Sequence, residues 1–315
     1  MALKNEIDPG FGIKYSAHTK RIINPDGTFN VVRHNREFST RDLYQFLINV
    51  PWPYFLLLIV LFYGFLNLLF TGFYYFAGIS NLSGLPDGSV GVQMLNVYFF
   101  SVQTLTTVGY GGILPVGIHA NIVASIEAMS GWLFFALTTG LLYGRFSRPS
   151  SHILFSRNAL VVPGEPHNRL MFRIANQRSN MILELEAKVL VMFIEKKDGQ
   201  HNRQYFNLEL ERSSVNFFPM NWTIVHEITN ESPIFGKTTA ELAALETELL
   251  ILIKGFDDTF SQTLHTRYSY RHEEFVWGAK FKRAYEVDSK GNVVMDMTWL
   301  HEFEEFELQN MNPAP

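Results

Sequence analysis

The feature that most constrains this chain is a long stretch without charged side chains. No Asp, Glu, Lys or Arg occurs between Trp52 and Phe76. As a helix the stretch would be about 37 Å long, whereas the hydrocarbon core of a bilayer is about 30 Å thick. A buried helix of a soluble protein is rarely so long and so uniformly apolar. The stretch therefore predicts a membrane-spanning outer helix at 52–77, the start of a transmembrane domain at 52–147.

A second apolar stretch predicts an inner spanning helix at 118–146, whose membrane part contains Glu127 as its charged residue. Residues 77–117, between the two spans, contain no Lys or Arg, whereas the N-terminal segment 1–38 contains several. Cytoplasmic segments carry the excess of Lys and Arg in membrane proteins. We therefore expect a multi-pass protein of the cell (inner) membrane with both termini in the cytoplasm.

The segment between the spans contains a helix-compatible run that is too short to cross a bilayer. Residues 92–105 are apolar, but a spanning helix needs about 20 residues. They predict a re-entrant pore helix, and the Gly-, Ser- and Asn-rich residues 81–91 predict an external loop before it. Non-helical backbone at membrane depth occurs only where protein buries it or where it lines a watery cavity. The glycine-rich run that follows the pore helix is therefore expected to line a pore.

That run reads Thr107-Val108-Gly109-Tyr110-Gly111. Rings of backbone carbonyls can replace the water shell of a potassium ion. Successive carbonyls face one axis when the backbone alternates between right- and left-handed conformations, and glycine adopts the left-handed one without steric cost. The run predicts a K⁺ filter with ligands from Thr107, Val108, Gly109 and Tyr110, while the Val108 and Tyr110 side chains pack against surrounding helices. One copy cannot encircle an ion, so the pattern implies a homotetramer.

Residues 148–315 have the pattern of an all-β regulatory domain. Short apolar runs alternate with turns, as in an antiparallel β-sandwich. These runs are 160–162, 170–174, 185–194, 223–228, 249–253, 281–287 and 293–297. Residues 288–292, between the last two runs, predict a hairpin loop.

Composition and motifs argue against several other classes of protein. The chain has no cysteine, which excludes disulfides and thiolate chemistry, and its net charge of -4 argues against a nucleic-acid partner. No phosphate-binding loop, nucleophile elbow or metal-ligand spacing is present in the sequence. We therefore predict that the chain is not an enzyme and needs no cofactor, with K⁺ as the transported ion.

Three motifs outside the pore are more specific than the filter. They are Leu154–Ala159 after the second span, Thr223–Ile228 followed by Glu231–Ile234, and the pair Trp277-Gly278. Together with the filter they resemble the inward-rectifier potassium channel family, most closely its prokaryotic branch, over about residues 36–305. The resemblance implies an architecture of membrane α plus all-β, in which an immunoglobulin-like cytoplasmic β-sandwich follows the pore domain and extends the pore of the tetramer.

The resemblance also assigns roles around a gate. Residues 39–51 look like the interfacial slide helix of the family, which lies on the membrane surface. Tyr143 falls where the family has a bulky gate residue at the crossing of the inner helices, with an interfacial aromatic residue as the alternative. Gly131 and Gly140 are candidate bending points of the gate helix, with close helix packing as the alternative.

Four further positions bear on the pore. An acid inside a span is costly and usually functional, so Glu127 either supports the filter from behind or lies near the outer interface. Phe135 stands where strong rectifiers have a cavity acid, so the resemblance implies weak block by Mg²⁺ or polyamines. Where relatives pair a Glu before the filter with an Arg after it, this chain has Gln103 and Ile113.

Three acids of the β domain, Glu184, Glu186 and Asp258, form a candidate cation-attracting lining of the cytoplasmic pore. Glu184 and Asp258 match acids of eukaryotic relatives, and Glu186 shares a strand face with Glu184. The alternative is a solvated outer face. The segment 255–264 resembles the apex loop of the family, a second constriction. His226 is interpreted as a structural, hydrogen-bonding histidine.

Eukaryotic relatives bind phosphoinositides through basic residues next to the spans. By this resemblance Trp52, Arg145 and Arg148 are possible contacts for anionic lipids of the bilayer. The expected function is that of a potassium-selective, inward-rectifier-type channel subunit. A weakly selective cation channel is the first alternative, because Gly112 replaces an Asp that follows the filter in many relatives. The second alternative is a membrane-anchored protein whose β-sandwich binds a partner.

Overall fold

The computed structural model describes residues 9–12, 14–15, 21–32, 34, 40–147, 152–197 and 200–305. The chain divides into two compact units. One is Asn35–Arg148, and the other combines Met1–His34 with Pro149–Pro315. Residues of the predicted N-terminal segment 1–38 up to His34 fall in the unit that contains the β domain.

The first unit contains four α-helices among its described residues, α1 at Thr40–Asn49, α2 at Trp52–Ala77, α3 at Val90–Leu105 and α4 at Gly117–Phe146. The bounds of α2 coincide with the predicted outer helix, and α3 begins two residues before the predicted start at 92. Both α2 and α4 are long and apolar enough to cross a membrane. Most of their apolar side chains lie on the surface of the chain, as lipid or further subunits would allow.

Local chemistry explains where α2 begins and ends. Pro51 precedes it and Pro53 lies in its first turn, where the missing N–H of proline would have no intrahelical partner. Gly78 follows with a φ of 97°, a backbone conformation that glycine adopts without strain. The next residues form the short 3₁₀ helix Ile79–Asn81.

A small connection holds the outer loop to the segment after the filter. The two-residue strands Leu82–Ser83 and Leu114–Pro115 pair antiparallel. The amide of Val116 donates to the carbonyl of Asn81 at 2.7 Å. Next to this connection, the three helices α2, α3 and α4 share a buried apolar cluster. It contains Phe70, Tyr74, Leu82, Val97, Phe100 and Leu105.

The second unit is built from two sheets. The six-stranded sheet contains Lys14–Tyr15, Gln200–Asn207, Ile182–Lys197, Glu248–Asp257 and Gln262–Arg271 in spatial order, with Ser214–Phe217 paired to 182–197. The five-stranded sheet contains Asn221–Glu227, Arg169–Asn176, Ala159–Val162 and Phe275–Trp277 in spatial order, with Ile153–Phe155 paired to 169–176. The pairing of 275–277 with 159–162 is parallel, and the other pairings in these two sheets are antiparallel.

The buried faces of the two sheets form one core, so the predicted β-sandwich is confirmed. Strand 221–227 shows the expected alternation, with Trp222, Ile224 and His226 buried. The predicted run 281–287 is two strands, Ala279–Phe281 and Tyr285–Val287. The second of these pairs with Val293–Met295 across the predicted hairpin loop, and the first pairs with Phe303–Glu305.

Short helices complete the unit. Helix α5, Thr239–Ala244, begins with a capping box in which Thr238 and Glu241 bond each other's backbone amides. The 3₁₀ helices are His272–Glu274 and Met297–His301. These elements connect the strands and leave the sandwich as the core of the unit.

Candidate functional site

The backbone of residues 107–111 alternates as the filter prediction requires. The φ angles of Thr107, Gly109 and Gly111 are 60°, 54° and 80°, whereas those of Val108 and Tyr110 are not positive. The two glycines adopt this conformation freely, but Thr107 is a β-branched residue, and positive φ was not predicted there. Alternating handedness over five residues turns successive carbonyls toward one side of the chain, as a ring of ion ligands needs.

The C-terminal end of α3 anchors the start of this loop. The carbonyl of Gln103 accepts the amide of Val108 at 2.9 Å and that of Gly109 at 3.3 Å. The amide of Thr107 donates to the carbonyl of Thr104 at 3.0 Å. The position of the last turn of α3 therefore determines where the loop begins.

The side chains of the loop are not covered by the helices of their own chain. Val108 is 53% exposed and Tyr110 is 81% exposed. The prediction that surrounding helices pack these side chains is thus not met within a single chain.

Glu127 lies behind the filter and has no exposed surface. Its carboxylate accepts hydrogen bonds from the Tyr74 hydroxyl of α2 at 2.6 Å and from the Ser101 hydroxyl of α3 at 2.5 Å. Ser101 is also 3.2 Å from the side-chain oxygen of Asn67 on α2. Of the two interpretations of Glu127, this geometry favours support of the filter segment over a position near the outer interface.

Gly131 lies where α4 touches the end of α3. A Cβ atom at Gly131 would lie 2.0 Å from the carbonyl oxygen of Leu105. Close helix packing therefore explains this glycine, and α4 continues through it and through Gly140 without interruption. The structure thus supports the packing alternative for Gly131, and its role as a bending point stays a prediction. A Cβ atom at Gly140 would meet nothing within 4 Å in one chain.

The predicted gate and cavity residues lie on the part of α4 that its own chain leaves open. Tyr143 and Phe135 are each 74% exposed. The contacts of one chain therefore do not distinguish a pore-facing side chain from a lipid-facing one at either position. Their roles depend on the arrangement of several copies.

Arg145 has a different environment from the one predicted. Its guanidinium donates to the carbonyls of Leu47 at 2.6 Å, Ile48 at 2.9 Å and Val50 at 2.7 Å. It also lies 4.6 Å from the centre of the Trp52 ring. The arginine thus binds carbonyls at the C-terminal end of α1 and just after it, which have no partner inside the helix. A contact of Arg145 with lipid headgroups stays a prediction. Arg148 lies outside the described residues.

The three predicted acids of the β domain are exposed. Glu184 has a φ of 51° and lies at an irregularity, where the register between strands 182–197 and 248–257 shifts. Leu185, between the two glutamates, is buried, and a shared face of Glu184 and Glu186 stays a prediction. Glu186 lies 3.6 Å from the ammonium of Lys254, and Asp258 follows the end of strand 248–257.

The acid next to Asp258 is the one that organises the apex loop, which sequence reasoning missed. Asp257 is 2% exposed. Its carboxylate accepts the side-chain amide of Asn180 at 2.8 Å and the backbone amides of Thr259 at 3.0 Å and Phe260 at 3.3 Å. Two adjacent aspartates look alike in a sequence, and only the contact with Asn180 distinguishes the buried one.

His226 is a buried structural histidine. Its Nδ1 donates to the carbonyl of Glu209 at 2.6 Å, because a carbonyl can only accept, and its Nε2 lies 2.8 Å from the Ser232 hydroxyl. Burial lowers the pKa of His226. No group of three or more His, Cys, Asp or Glu residues that could hold a metal ion occurs within the described part of the chain.

A two-span helical unit with a re-entrant helix, an alternating loop and a following all-β unit defines a membrane channel protein. Residues 55–148 match the family model described as "Ion channel", and residues 153–313 match "Inward rectifier potassium channel C-terminal domain". Among known proteins, the chain is 34% identical to inward rectifier potassium channel Kirbac3.1 of Paramagnetospirillum magnetotacticum over 92% of this chain and 98% of that protein. It is 27% identical to human G protein-activated inward rectifier potassium channel 4 over 85% of this chain and 71% of that protein. The chain belongs to the inward rectifier potassium channel family.

Proposed function

We propose that four copies of this chain assemble in a membrane and conduct K⁺ selectively through the loop 107–111. The observation that carries the proposal is the alternation of positive φ at Thr107, Gly109 and Gly111 directly after a helix too short to span. Four such loops around one axis would present rings of carbonyl oxygens to a dehydrated potassium ion. The exposed Tyr110 ring would pack against a neighbouring copy.

The pathway continues along α4 in this proposal. Four copies of Phe135 line the cavity below the filter, and four Tyr143 rings close the path where the inner helices cross. Large apolar rings can close a narrow pore by excluding water. Gly140, which has open space around it in one chain, remains a candidate bending point between them.

The β unit extends the path into the cytoplasm, with both termini on that side. Glu184, Glu186 and Asp258 are exposed and would attract cations there, although Glu186 also lies 3.6 Å from the ammonium of Lys254. Phe135 carries no charge, so Mg²⁺ and polyamines are weak blockers in this proposal. Anionic lipid headgroups are the proposed partners of Trp52 and Arg148, since Arg145 is bound to α1.

The test is uptake of Rb⁺ by liposomes that contain the purified protein, driven by a K⁺ gradient, with Ba²⁺ and external Na⁺ as controls. Native mass spectrometry of the same sample reports the number of copies. The decisive variant is Gly109→Ala, because a Cβ at a φ of 54° is strained. Gly112→Ala is the matched control, since a Cβ there meets nothing within 4 Å and its φ is ordinary.

We expect a tetramer whose Rb⁺ uptake is abolished by Ba²⁺ and is not reduced by competing Na⁺. Gly109→Ala should lose selective uptake, whereas Gly112→Ala should keep it. Uptake that Na⁺ competes as well as K⁺ would replace the proposal by a weakly selective cation channel. A folded tetramer that stays silent in several lipid mixtures, even with Tyr143→Ala, would contradict conduction through this path.

A further inference from the structure

The carboxylate of Glu127 joins the three helices that surround the base of the filter loop. We propose that Glu127 is a positioning residue of the filter. By holding Ser101 on the last turn of α3, it fixes the ion-coordinating loop in its K⁺-selective geometry. The inference rests on the proposed K⁺ conduction and adds a determinant of selectivity that does not touch the ion.

The first step is the placement of the acid. Glu127 is the nearest charged residue to the filter along the chain, since residues 88–126 contain no Asp, Glu, Lys or Arg. It is fully buried inside the helical unit. A buried acid is costly unless its oxygens are hydrogen-bonded. Each oxygen accepts one hydroxyl, from Tyr74 and from Ser101, so the acid has a strong preference for this one arrangement.

The second step is the direction of the hydrogen bonds. The Ser101 hydroxyl has one proton and lies 2.5 Å from Glu127 but 3.2 Å from Asn67, so it donates to Glu127. The Tyr74 hydroxyl donates to the other oxygen. Hydrogen bonds to ionisable acceptors are stronger than those between neutral groups. The carboxylate therefore connects α2 on one side with α3 on the other.

The third step leads from Ser101 to the filter. Ser101 lies one turn before Leu105, the last residue of α3. The carbonyl of Gln103, in the same turn, accepts the amides of Val108 and Gly109. One turn further along α4, Gly131 lets the carbonyl of Leu105 approach the inner helix. Any rotation of this turn of α3 would move Gln103 and with it the first filter carbonyls.

The sequence leaves room for such a role. Gln103 and Ile113 are the uncharged residues on either side of the filter at the positions where, by the resemblance, relatives carry an ion pair. Ile113 packs against the apolar cluster shared by α2, α3 and α4. The carboxyl group of Glu127 is thus an ionisable group of α4 that contacts the pore helix.

Single hydroxyl deletions test the inference without removing a charge. Ser101→Ala breaks the bond to α3, and Tyr74→Phe breaks the bond to α2. Glu127→Gln keeps an acceptor for Tyr74 and a polar contact for Ser101, so it is the conservative variant. Thr71→Val is the matched control, because Thr71 is also buried and its hydroxyl donates to the carbonyl of Asn67 in its own helix.

The readout is selectivity, measured on samples shown to be tetrameric. It is the external Na⁺ concentration that halves Rb⁺ uptake, divided by the external K⁺ concentration that halves it. We expect this ratio to fall about tenfold in Ser101→Ala, as for the loss of one hydrogen bond to a charged group, and less in Tyr74→Phe. The ratio should also fall less in Glu127→Gln than in Ser101→Ala, because glutamine keeps polar contacts without the charge, and Thr71→Val should stay within about twofold of the unaltered protein.

An unchanged ratio in a tetrameric Ser101→Ala protein would overturn the inference, because a merely structural role changes stability and not selectivity. An equal fall in Thr71→Val would overturn it as well. If the unaltered protein shows no selectivity, the proposed function fails instead, so the two failures are distinguishable. The test of the inference does not use Glu127→Ala, so it stands even if that variant fails to fold.

Discussion

Gly131 is important because the absence of a side chain there lets two helices pack closely. The end of α3 approaches α4 so closely that the carbonyl of Leu105 occupies the place of a Cβ atom. Small residues allow such approaches between helices in membranes. In the sequence, the same glycine was equally compatible with a bending point, since a missing side chain loosens a helix and also lets a neighbour come close.

Gly131→Ala should destabilise the protein because a Cβ atom 2.0 Å from a backbone oxygen forces α3 and α4 apart. Overpacking of this kind costs about 1–3 kcal/mol. The unfolding midpoint of the detergent-solubilised protein, measured by intrinsic fluorescence on heating, should fall. Gly64→Ala serves as the control, since a Cβ there meets nothing within 4 Å. Equal midpoints for the two variants would contradict the packing explanation.

His226 predicts a pH dependence of stability in the β unit. Burial lowers its pKa relative to an ordinary histidine, with an unperturbed value near 6.5. The unfolded chain therefore takes up a proton at higher pH than the folded one, so stability is complete above about pH 6.5 and is lost as the pH falls below it. The unfolding midpoint should drop between pH 7.5 and 5.5, and His226→Gln should reduce that drop. The same pH dependence in both proteins would rule out His226 as its source.

At the scale of elements, the inner helix and the helix before the first span are connected by one side chain. Arg145 on α4 binds the carbonyls of Leu47, Ile48 and Val50 at the end of α1. Gly144, one residue earlier, leaves room for the Tyr44 hydroxyl, which would lie 3.0 Å from a Cβ at this position. Movement of α1 is thereby coupled to the end of α4, two residues from the proposed gate at Tyr143.

Arg145→Ala should release α1 from α4. The chain has no cysteine, so a single cysteine introduced at the exposed position Phe46 can carry a spin label without background. Its electron paramagnetic resonance spectrum should show greater mobility in Arg145→Ala. Arg145→Lys should give an intermediate spectrum, because an ammonium cannot reach three carbonyls with the planar fork of a guanidinium. Identical spectra in all three proteins would show that α1 is held by other contacts.

At the scale of the whole molecule, the N-terminal residues are part of the β unit. The guanidinium of Arg21 donates to the hydroxyl and to the carbonyl oxygen of Ser269, and it lies 3.2 Å from the carboxylate of Glu274. The amide of Ile22 donates to Glu248, whose pKa is raised by burial. Ile22 and Ile23 are buried in a small apolar cluster with four residues of the six-stranded sheet, Met192, Ile194, Tyr205 and Leu250.

Arg21→Ala should loosen this attachment. Residues 21–32 should exchange their amide hydrogens faster, and the unfolding free energy should fall by about 1–3 kcal/mol, the effect of leaving buried polar groups unpaired. Hydrogen exchange with mass spectrometry and chemical unfolding measure the two effects. Lys290→Ala, in an exposed hairpin loop, is the control and should leave both unchanged. Unaltered exchange in Arg21→Ala would show that the apolar contacts of Ile22 and Ile23 suffice.

Sequence patterns were sufficient to predict the two spanning helices, the re-entrant helix and the hairpin at 288–292. Hydropathy, glycine and turn residues act on their immediate neighbours, so these elements can be predicted from residues close in sequence. The positive φ of Gly109 and Gly111 follows from the same local argument. The boundary at 281–287 was wrong, because two short strands in different pairings look like one apolar run.

The contacts that position these elements could not be predicted in the same way. Glu127 meets Ser101 across 26 residues, Arg145 meets Leu47 across 98, and Arg21 meets Ser269 across 248. Each pair joins elements whose meeting depends on the packing of all the elements between them. The order of residues thus determined which local structures form, including the alternating backbone of the proposed filter loop 107–111. The tertiary structure decided which polar side chains hold that loop and the surrounding helices in place.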